Sequence, residues 1–390
     1  MDKVRFGIIG VGNMGHGHAK WLLEGKVARG ELVAIADRNP EKLKAFPHIK
    51  SYADGKQLLR NRDVDAVLVA TPHYDHTTLG VAALQRGFHV LLEKPISVHK
   101  ADCEKLLAAY AQRPKPTQVF SAMFNQRTDP FYQKIRELVR GGELGEVRRI
   151  NWIISNWFRS EAYYASGGWR ATWAGEGGGV LLNQCPHNID LYQWIFGMPA
   201  RVRAFCSLGR YHKIEVEDDV TAYFEYPNGT TAVFITSTGE APGTNRLEIT
   251  AENGKLVYEK NQIVLTKNEI PMTEFSRTTT QSFATPKNET TTLTLPDNGS
   301  QHVGILNNFV EAILDGKPLL APAVEGIHSV ELANAMLFSS LKQKTIEMPL
   351  DAKAYARTLK GLIKNSKLVK PAAQATAPAA TTDLSKSFNL

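Results

Sequence analysis

The sequence predicts an α/β protein in two parts: a doubly wound parallel sheet, then an α/β unit whose sheet is mainly antiparallel. Three observations carry this expectation. Up to about residue 124, short β-branched apolar runs alternate with helical segments, which is the pattern of βαβ units and a parallel sheet. Beyond it, strand-like runs follow one another through hairpin turns, PNG at 227–229 and ENG at 252–254, as antiparallel pairing requires. The 390 residues also suffice for two separate cores. The expected division is 1–123, then 124–368, then a disordered tail at 369–390 whose Ala/Thr/Pro composition offers little to bury.

The first part opens with VRFGII at 4–9, a buried-strand pattern, followed by a glycine turn and a helix that runs through 21–23. Strands are expected at 32–36, 66–70, 89–92 and 118–122, with helices about 77–86 and 100–111. The second part begins with a helix about 130–139, closed by Gly141 and Gly142. Strands follow at 201–208, 220–226, 231–236, 246–251, 255–259 and 262–265, and helices at 188–195, 304–314 and 324–341. The Thr/Ser-rich segment 277–295 reads as an exposed loop.

Composition narrows the function classes. Hydrophobic residues make up 43% and charged residues 22%, as in an ordinary soluble globular protein. The net charge of +7 is small for this length and no run of five Lys/Arg occurs, so neither nucleic acid nor a membrane surface is an expected partner. Three cysteines without a CxxC pair fit a reducing compartment. No segment reads as a signal peptide or membrane span, so a cytoplasmic protein is expected.

GVGNMG at 10–15 matches G-x-G-x-x-G, and its context strengthens the match: a strand before it, a helix after it, and Asp37 at the end of the second strand. Gly10 allows the tight turn, Gly12 lets a pyrophosphate approach the backbone, and Gly15 permits close helix packing. The first helical residues, Asn13 and Met14, then offer N–H groups to phosphate. Asp37 should bond a ribose 2′-hydroxyl and repel a 2′-phosphate, which favours NAD; Arg38 beside it keeps NADP open. This makes the first part a Rossmann domain.

Further motifs follow in order. Ala70-Thr71-Pro72 precedes His73 and His76, Glu93-Lys94-Pro95 closes a strand where ligands bind in open α/β sheets, and GGGVLLNQCPHNID spans 177–190. Together they resemble the family of glucose–fructose oxidoreductase, inositol dehydrogenase and MocA (Gfo/Idh/MocA), over about residues 3–360. The resemblance implies a dinucleotide-binding domain followed by an α/β domain with a large open sheet, and a homo-oligomer, dimer or tetramer, formed through that sheet. It implies that Lys94 reaches cofactor and substrate, that Thr71 and His76 line the nicotinamide side with Pro72 and Glu93 in the same cofactor loops, and that His187 is the base. Many relatives have an aspartate four residues before that histidine, where this chain has Asn183.

Pro186 is tolerated in the first turn of a helix, so a helix starting near Asn183 would set Asn183 and His187 on one side, one turn apart. Alcohol oxidation needs a base that works near pH 7, which suits histidine, and Lys94 would stabilise the developing alkoxide. Asn183 would position either His187 or the substrate. Asn125, Gln126 and Arg127, with Tyr163, Tyr164, Trp169, Arg170 and Trp173, supply the donors and aromatic faces that a sugar ring needs. His16-x-His18 and His73-x-x-His76 have ligand-like spacing but no partner set, so no metal is expected. The resulting expectation is an NAD(H)-dependent oxidoreductase acting on a ring hydroxyl or ketone of a sugar, glycoside or cyclitol. A glycoside-cleaving enzyme that oxidises transiently, or a non-catalytic dinucleotide-binding regulator, are the alternatives.

Overall fold

The structure, a computed structural model, describes residues 2–296 and 299–368. The tail expected at 369–390 lies outside these residues. Six strands, β1 (Val4–Ile9), β2 (Gly30–Ala36), β3 (Lys50–Tyr52), β4 (Ala66–Val69), β5 (His89–Leu92) and β6 (Phe120–Ala122), form one sheet in the order β3-β2-β1-β4-β5-β6. All the pairs are parallel. β1 buries every residue except Arg5, and β4 buries all four, as strands covered on both faces must. The order reverses between β1 and β4, and that reversal opens a crevice at the carboxyl ends of the strands. Gly10, Asp37, Ala70 and Glu93 each follow directly on a strand that ends there.

The second sheet has nine strands: β7 (Val147–Ile154), β8 (Arg201–Leu208), β9 (Glu217–Glu225), β10 (Thr231–Ser237), β11 (Asn245–Ala251), β12 (Gly254–Glu259), β13 (Gln262–Asn268), β14 (Asn288–Leu293) and β15 (Ile346–Glu347). They lie in the order β14-β13-β12-β11-β7-β10-β9-β8-β15. Only β7 and β10 pair in parallel. Alternate residues such as Ile150, Trp152, Phe224, Phe234 and Ile249 point into a core shared with the helices Pro130–Arg140, Pro186–Phe196 and Gly326–Lys342. The other face carries Asn151, Phe205 and Tyr223, half-buried or exposed.

Two expectations need correction. No strand was expected at 147–154, yet β7 lies mid-sheet between β11 and β10; its Arg148 and Arg149 obscure an otherwise regular alternation of buried Ile150, Trp152 and Ile154. The segment 277–295 is not all loop, because β14 lies within it and pairs with β13. An edge strand exposed on both faces has no hydrophobic alternation to betray it, only its run of β-branched threonines.

The helix Gln301–Asp315 follows eight strands of the second sheet in the chain but returns to the first core, burying Ile305, Leu306, Phe309 and Val310 there. Phe309 meets Phe6 with ring centroids 6.0 Å apart.

The second sheet predicts unequal mutational costs at its centre and its edge. Trp152 is fully buried among Tyr132, Tyr192 and Phe234, so Trp152→Ala should cost about 3–5 kcal/mol in urea unfolding. Thr291→Ala on exposed β14 should stay within about 0.5 kcal/mol. Equal costs would contradict this account of the sheet.

Candidate active site

The loop after β1 is shaped to admit a ligand. Gly10 has φ +91°, and a Cβ there would lie 2.6 Å from the Ala70 carbonyl; one on Gly15 would lie 1.8 Å from the Gly10 carbonyl. Both positions therefore require glycine. A Cβ on Gly12 would approach only Lys42 Nζ, at 3.9 Å, so the space before it is open. The helix Asn13–Leu23 starts there with no side-chain cap and no acid in its first turn, which leaves N–H groups for an anion. Asp37 joins the loop directly: its Oδ2 accepts from Val11 N at 2.8 Å and its Oδ1 from Asn39 N at 2.8 Å. Arg38 is 77% exposed and leans on Asp75 at 3.4 Å. Thr71 Oγ1 is buried without a protein partner, and Pro72, exposed, begins the helix His73–Gln85. These features fit a bound dinucleotide.

The catalytic candidates meet at the end of β5. Lys94 Nζ donates to the backbone carbonyl of Asn183 at 2.8 Å, which ties the first sheet to the glycine-rich segment. Burial pushes the Lys94 ammonium below the usual lysine range; Arg159 and Arg170 add to the shift, while Glu93 and Glu176 oppose it. His187 is 2% exposed, and neither ring nitrogen has a partner among the described residues. Burial first, then the charge of Lys94, holds His187 well below the usual histidine value. It is therefore a neutral imidazole at pH 7.

Asn183 departs from expectation. The helix starts at Pro186, not near Asn183, with Cys185 as its cap. Asn183 Nδ2 donates to Glu176 Oε1, and Asn183 Oδ1 accepts from Tyr163 Oη at 3.4 Å. No hydrogen bond joins it to His187, because the turn before the helix aims its amide at Glu176.

Other expected site residues divide into those at the crevice and those spent on the fold. Tyr163, Trp169 and Arg170 cluster beside Asn183: Arg170 Nη1 donates to Tyr163 Oη at 2.8 Å and stacks 4.8 Å from the Trp169 ring centre. Asn125 donates to Gln301 Oε1 at 2.6 Å and keeps a buried Oδ1 without a partner. Arg127 is a correction. It is fully buried in a bidentate pair with Asp190, both contacts 2.7 Å, and it also reaches Glu325 at 2.5 Å, so it locks helices rather than facing substrate. His76 lies between the two cofactor loops: its ring nitrogens stand 2.7 and 2.8 Å from the carbonyls of Pro95 and Thr71, one of which takes its N–H. Glu93 is a second correction. Its Oε1 meets His18 Nε2 at 2.7 Å and its Oε2 accepts from Lys94 N at 3.1 Å. Burial pushes the Glu93 carboxyl up, but the bond and charge of His18 outweigh it and bring it down to about 2. Among the described residues no cluster of His, Cys, Asp and Glu could hold a metal.

Three further residues matter that the sequence reading passed over. Glu176, directly before the glycines, takes Ala171 N at 2.6 Å on the oxygen not facing Asn183. Its place beside the GGG motif was the available signal. Glu217 on β9 accepts from Gly179 N at 2.7 Å and Leu181 N at 3.1 Å. Burial pushes its carboxyl up to about 7, and a Cβ on Gly179 would lie 1.9 Å from the Glu217 carbonyl. His302 stacks near His18 and Trp21, with ring centroids 5.9 and 5.3 Å away. Nothing in sequence spacing links Glu217 or His302 to this site.

This geometry predicts the behaviour of Asn183→Asp. A carboxylate there would face Glu176 Oε1 with no proton between them and would disturb the anchor of Lys94, so stability and kcat/KM should fall. The acid limb set by His187 should stay within about 0.3 pH unit of wild type. A limb raised by a full unit would put residue 183 against the imidazole and contradict the structure.

The comparisons agree with the fold. The family model described as the oxidoreductase family with an NAD-binding Rossmann fold matches residues 4–121, and that of the GFO/IDH/MocA C-terminal domain matches 132–257. Inositol 2-dehydrogenase 1 of Saccharopolyspora erythraea is 32% identical over 158 residues, 39% of this chain and 46% of the relative. The NADP(+)-dependent scyllo-inositol 2-dehydrogenase of Bacillus subtilis is 24% identical over 89% of this chain and 96% of its own. The matched segment spans about half the length of the first three relatives, 46% to 55%. Among solved structures, the WlbA dehydrogenase of Chromobacterium violaceum, in complex with NADH and UDP-GlcNAcA, has a TM-score of 0.77 at 24% identity, covering 90% of this chain and 97% of its own. At that identity the likeness speaks for the fold. With both family models matched, one after the other along the chain, the chain belongs to the Gfo/Idh/MocA family of NAD-binding oxidoreductases.

Proposed function

We propose that the protein is an NAD-dependent dehydrogenase that interconverts a ring hydroxyl and a ketone on a sugar, glycoside or cyclitol. One observation carries the reading: His187 is buried, neutral, and has no protein partner on either nitrogen, beside the Lys94 ammonium. Buried polar groups are normally paired, so an orphan imidazole is best explained by a partner that arrives with the substrate. Relatives named as inositol dehydrogenases support a polyhydroxylated ring as that substrate.

The loop at 10–15, Asp37 and Thr71 would hold the cofactor, which supplies a hydride acceptor when bound. His187 takes the hydroxyl proton of the substrate, and its lowered pKa keeps it able to do so below pH 6.5. Lys94 donates to the same oxygen and stabilises the negative charge that develops on it. Asn183 acts through its backbone carbonyl, which holds Lys94 Nζ. Tyr163, Trp169 and Arg170 orient the ring and exclude water. The proposal includes a cofactor domain over 1–123, a substrate domain over 124–368, and a homo-oligomer, dimer or tetramer. No helix among the described residues is long and apolar enough to cross a membrane, and we place the protein in the cytoplasm.

Lys94→Ala and His187→Ala should each lower kcat by about 10²–10⁴-fold. His187→Ala should keep NADH affinity and melting temperature, whereas Lys94→Ala, which also removes the bond to the Asn183 carbonyl, should melt earlier. Near wild-type turnover in either removes that residue from the mechanism. The wild-type pH–rate profile for oxidation should keep its plateau to below pH 6.5, because the folded pKa of His187 is depressed. NAD should bind more tightly than NADP, and Asp37→Ala should narrow the difference. NADP binding at least as tightly to the wild type would give the decision to Arg38.

A further inference from the structure

Positive charge gathers around the proposed reacting centre. Lys94, Arg159 and Arg170 lie close enough for both guanidiniums to act on the Lys94 ammonium. The two carboxylates that also act on it, Glu93 and Glu176, already hold protein donors on both oxygens.

Arg170 is also built as a recognition group. Its side chain is 17% exposed, and its guanidinium lies 4.6 Å from the Tyr163 ring centre and 4.8 Å from that of Trp169. Nη1 is fixed by Tyr163 Oη at 2.8 Å, and that hydroxyl is held in turn by Gln184 Nε2 at 3.1 Å. Glu176 stands 3.9 Å away, too far for a hydrogen bond. Among the described residues Nε and Nη2 of Arg170 have no protein acceptor. A planar fork locked between two rings with donors unspent matches a carboxylate or phosphate, which it can bind by two parallel hydrogen bonds. Arg159 adds charge 5.2 Å from the centre of the same Tyr163 ring. Its backbone is pinned through His212, which reaches the Arg159 carbonyl at 2.8 Å and Asp218 at 2.9 Å.

We propose that the substrate carries an anionic group, bound by Arg170 with Arg159 in support, while Lys94 and His187 act on a ring hydroxyl. The inference rests on the reading of Lys94 and His187 as the reacting centre, and it makes the substrate an acidic sugar or a sugar phosphate rather than a neutral ring.

The test is equilibrium binding to the full chain saturated with NADH, by calorimetry at low ionic strength, with D-glucuronate, D-glucose 6-phosphate and D-glucose. At least one anion should bind about tenfold or more tightly than glucose, and salt should erode the preference. The stronger of the two anions tells carboxylate from phosphate. In Arg170→Met the ratio should fall to about one with NADH affinity intact, and Arg170→Lys should keep part of it. Should Arg170→Met not fold, Tyr163→Phe, which removes the hydroxyl fixing Arg170, must narrow the ratio. Equal binding of the three sugars, or a preference that survives loss of Arg170 or of its anchor, overturns the subsite. A protein that binds the anion but reduces no NAD would retire the dehydrogenase reading alone. One that oxidises only neutral sugars would retire the anionic subsite alone.

Discussion

The bond from Lys94 Nζ to the Asn183 carbonyl is the constraint on which the rest of the site hangs, because it joins the end of β5 to the turn that launches the helix Pro186–Phe196. Each partner is held from behind. Glu93, one residue earlier, is clamped by His18 from the helix after the phosphate loop. Asn183 is clamped by Glu176 and Tyr163. The segment before it is carried on β9 through Glu217, which accepts the N–H groups of Gly179 and Leu181. An ammonium on a flexible four-carbon stem becomes a fixed point only with such support.

Electrostatics explains why this arrangement leaves a usable base. Taking an ammonium and an imidazole out of water together disfavours both charges, and each then raises the cost of charging the other. Burial and Lys94 keep His187 neutral, while the nearby carboxylates Glu93 and Glu176 help Lys94 retain its proton. The protein tolerates two unsatisfied imidazole nitrogens there although it pairs most of its buried polar atoms elsewhere.

Much of this was legible in the sequence, and the reasons are physical. The glycine loop, Asp37, Thr71 and Lys94 sit at the ends of parallel strands, where strand, turn and helix follow within a few residues, so linear spacing reports spatial position. The strand β7 was hidden by two arginines at its solvent end, and β14 by its exposure on both faces. The direction of the Asn183 side chain was not legible, because it depends on a turn whose dihedrals no spacing rule supplies. Nor was the burial of Arg127, whose partners Asp190 and Glu325 lie 63 and 198 residues away. Long-range ionic partners leave no periodic trace.

The central claim is that His187 is neutral and unpartnered in the folded protein. Imidazole ¹⁵N resonances, assigned by comparison with His187→Gln and followed through a pH titration of the NADH-bound protein, measure this directly. The account predicts that His187 remains neutral well below its usual value of 6.5, and that its pKa rises in Lys94→Ala, where the neighbouring positive charge is gone. A residue that protonates near 6.5 and does not respond to loss of Lys94 would contradict it.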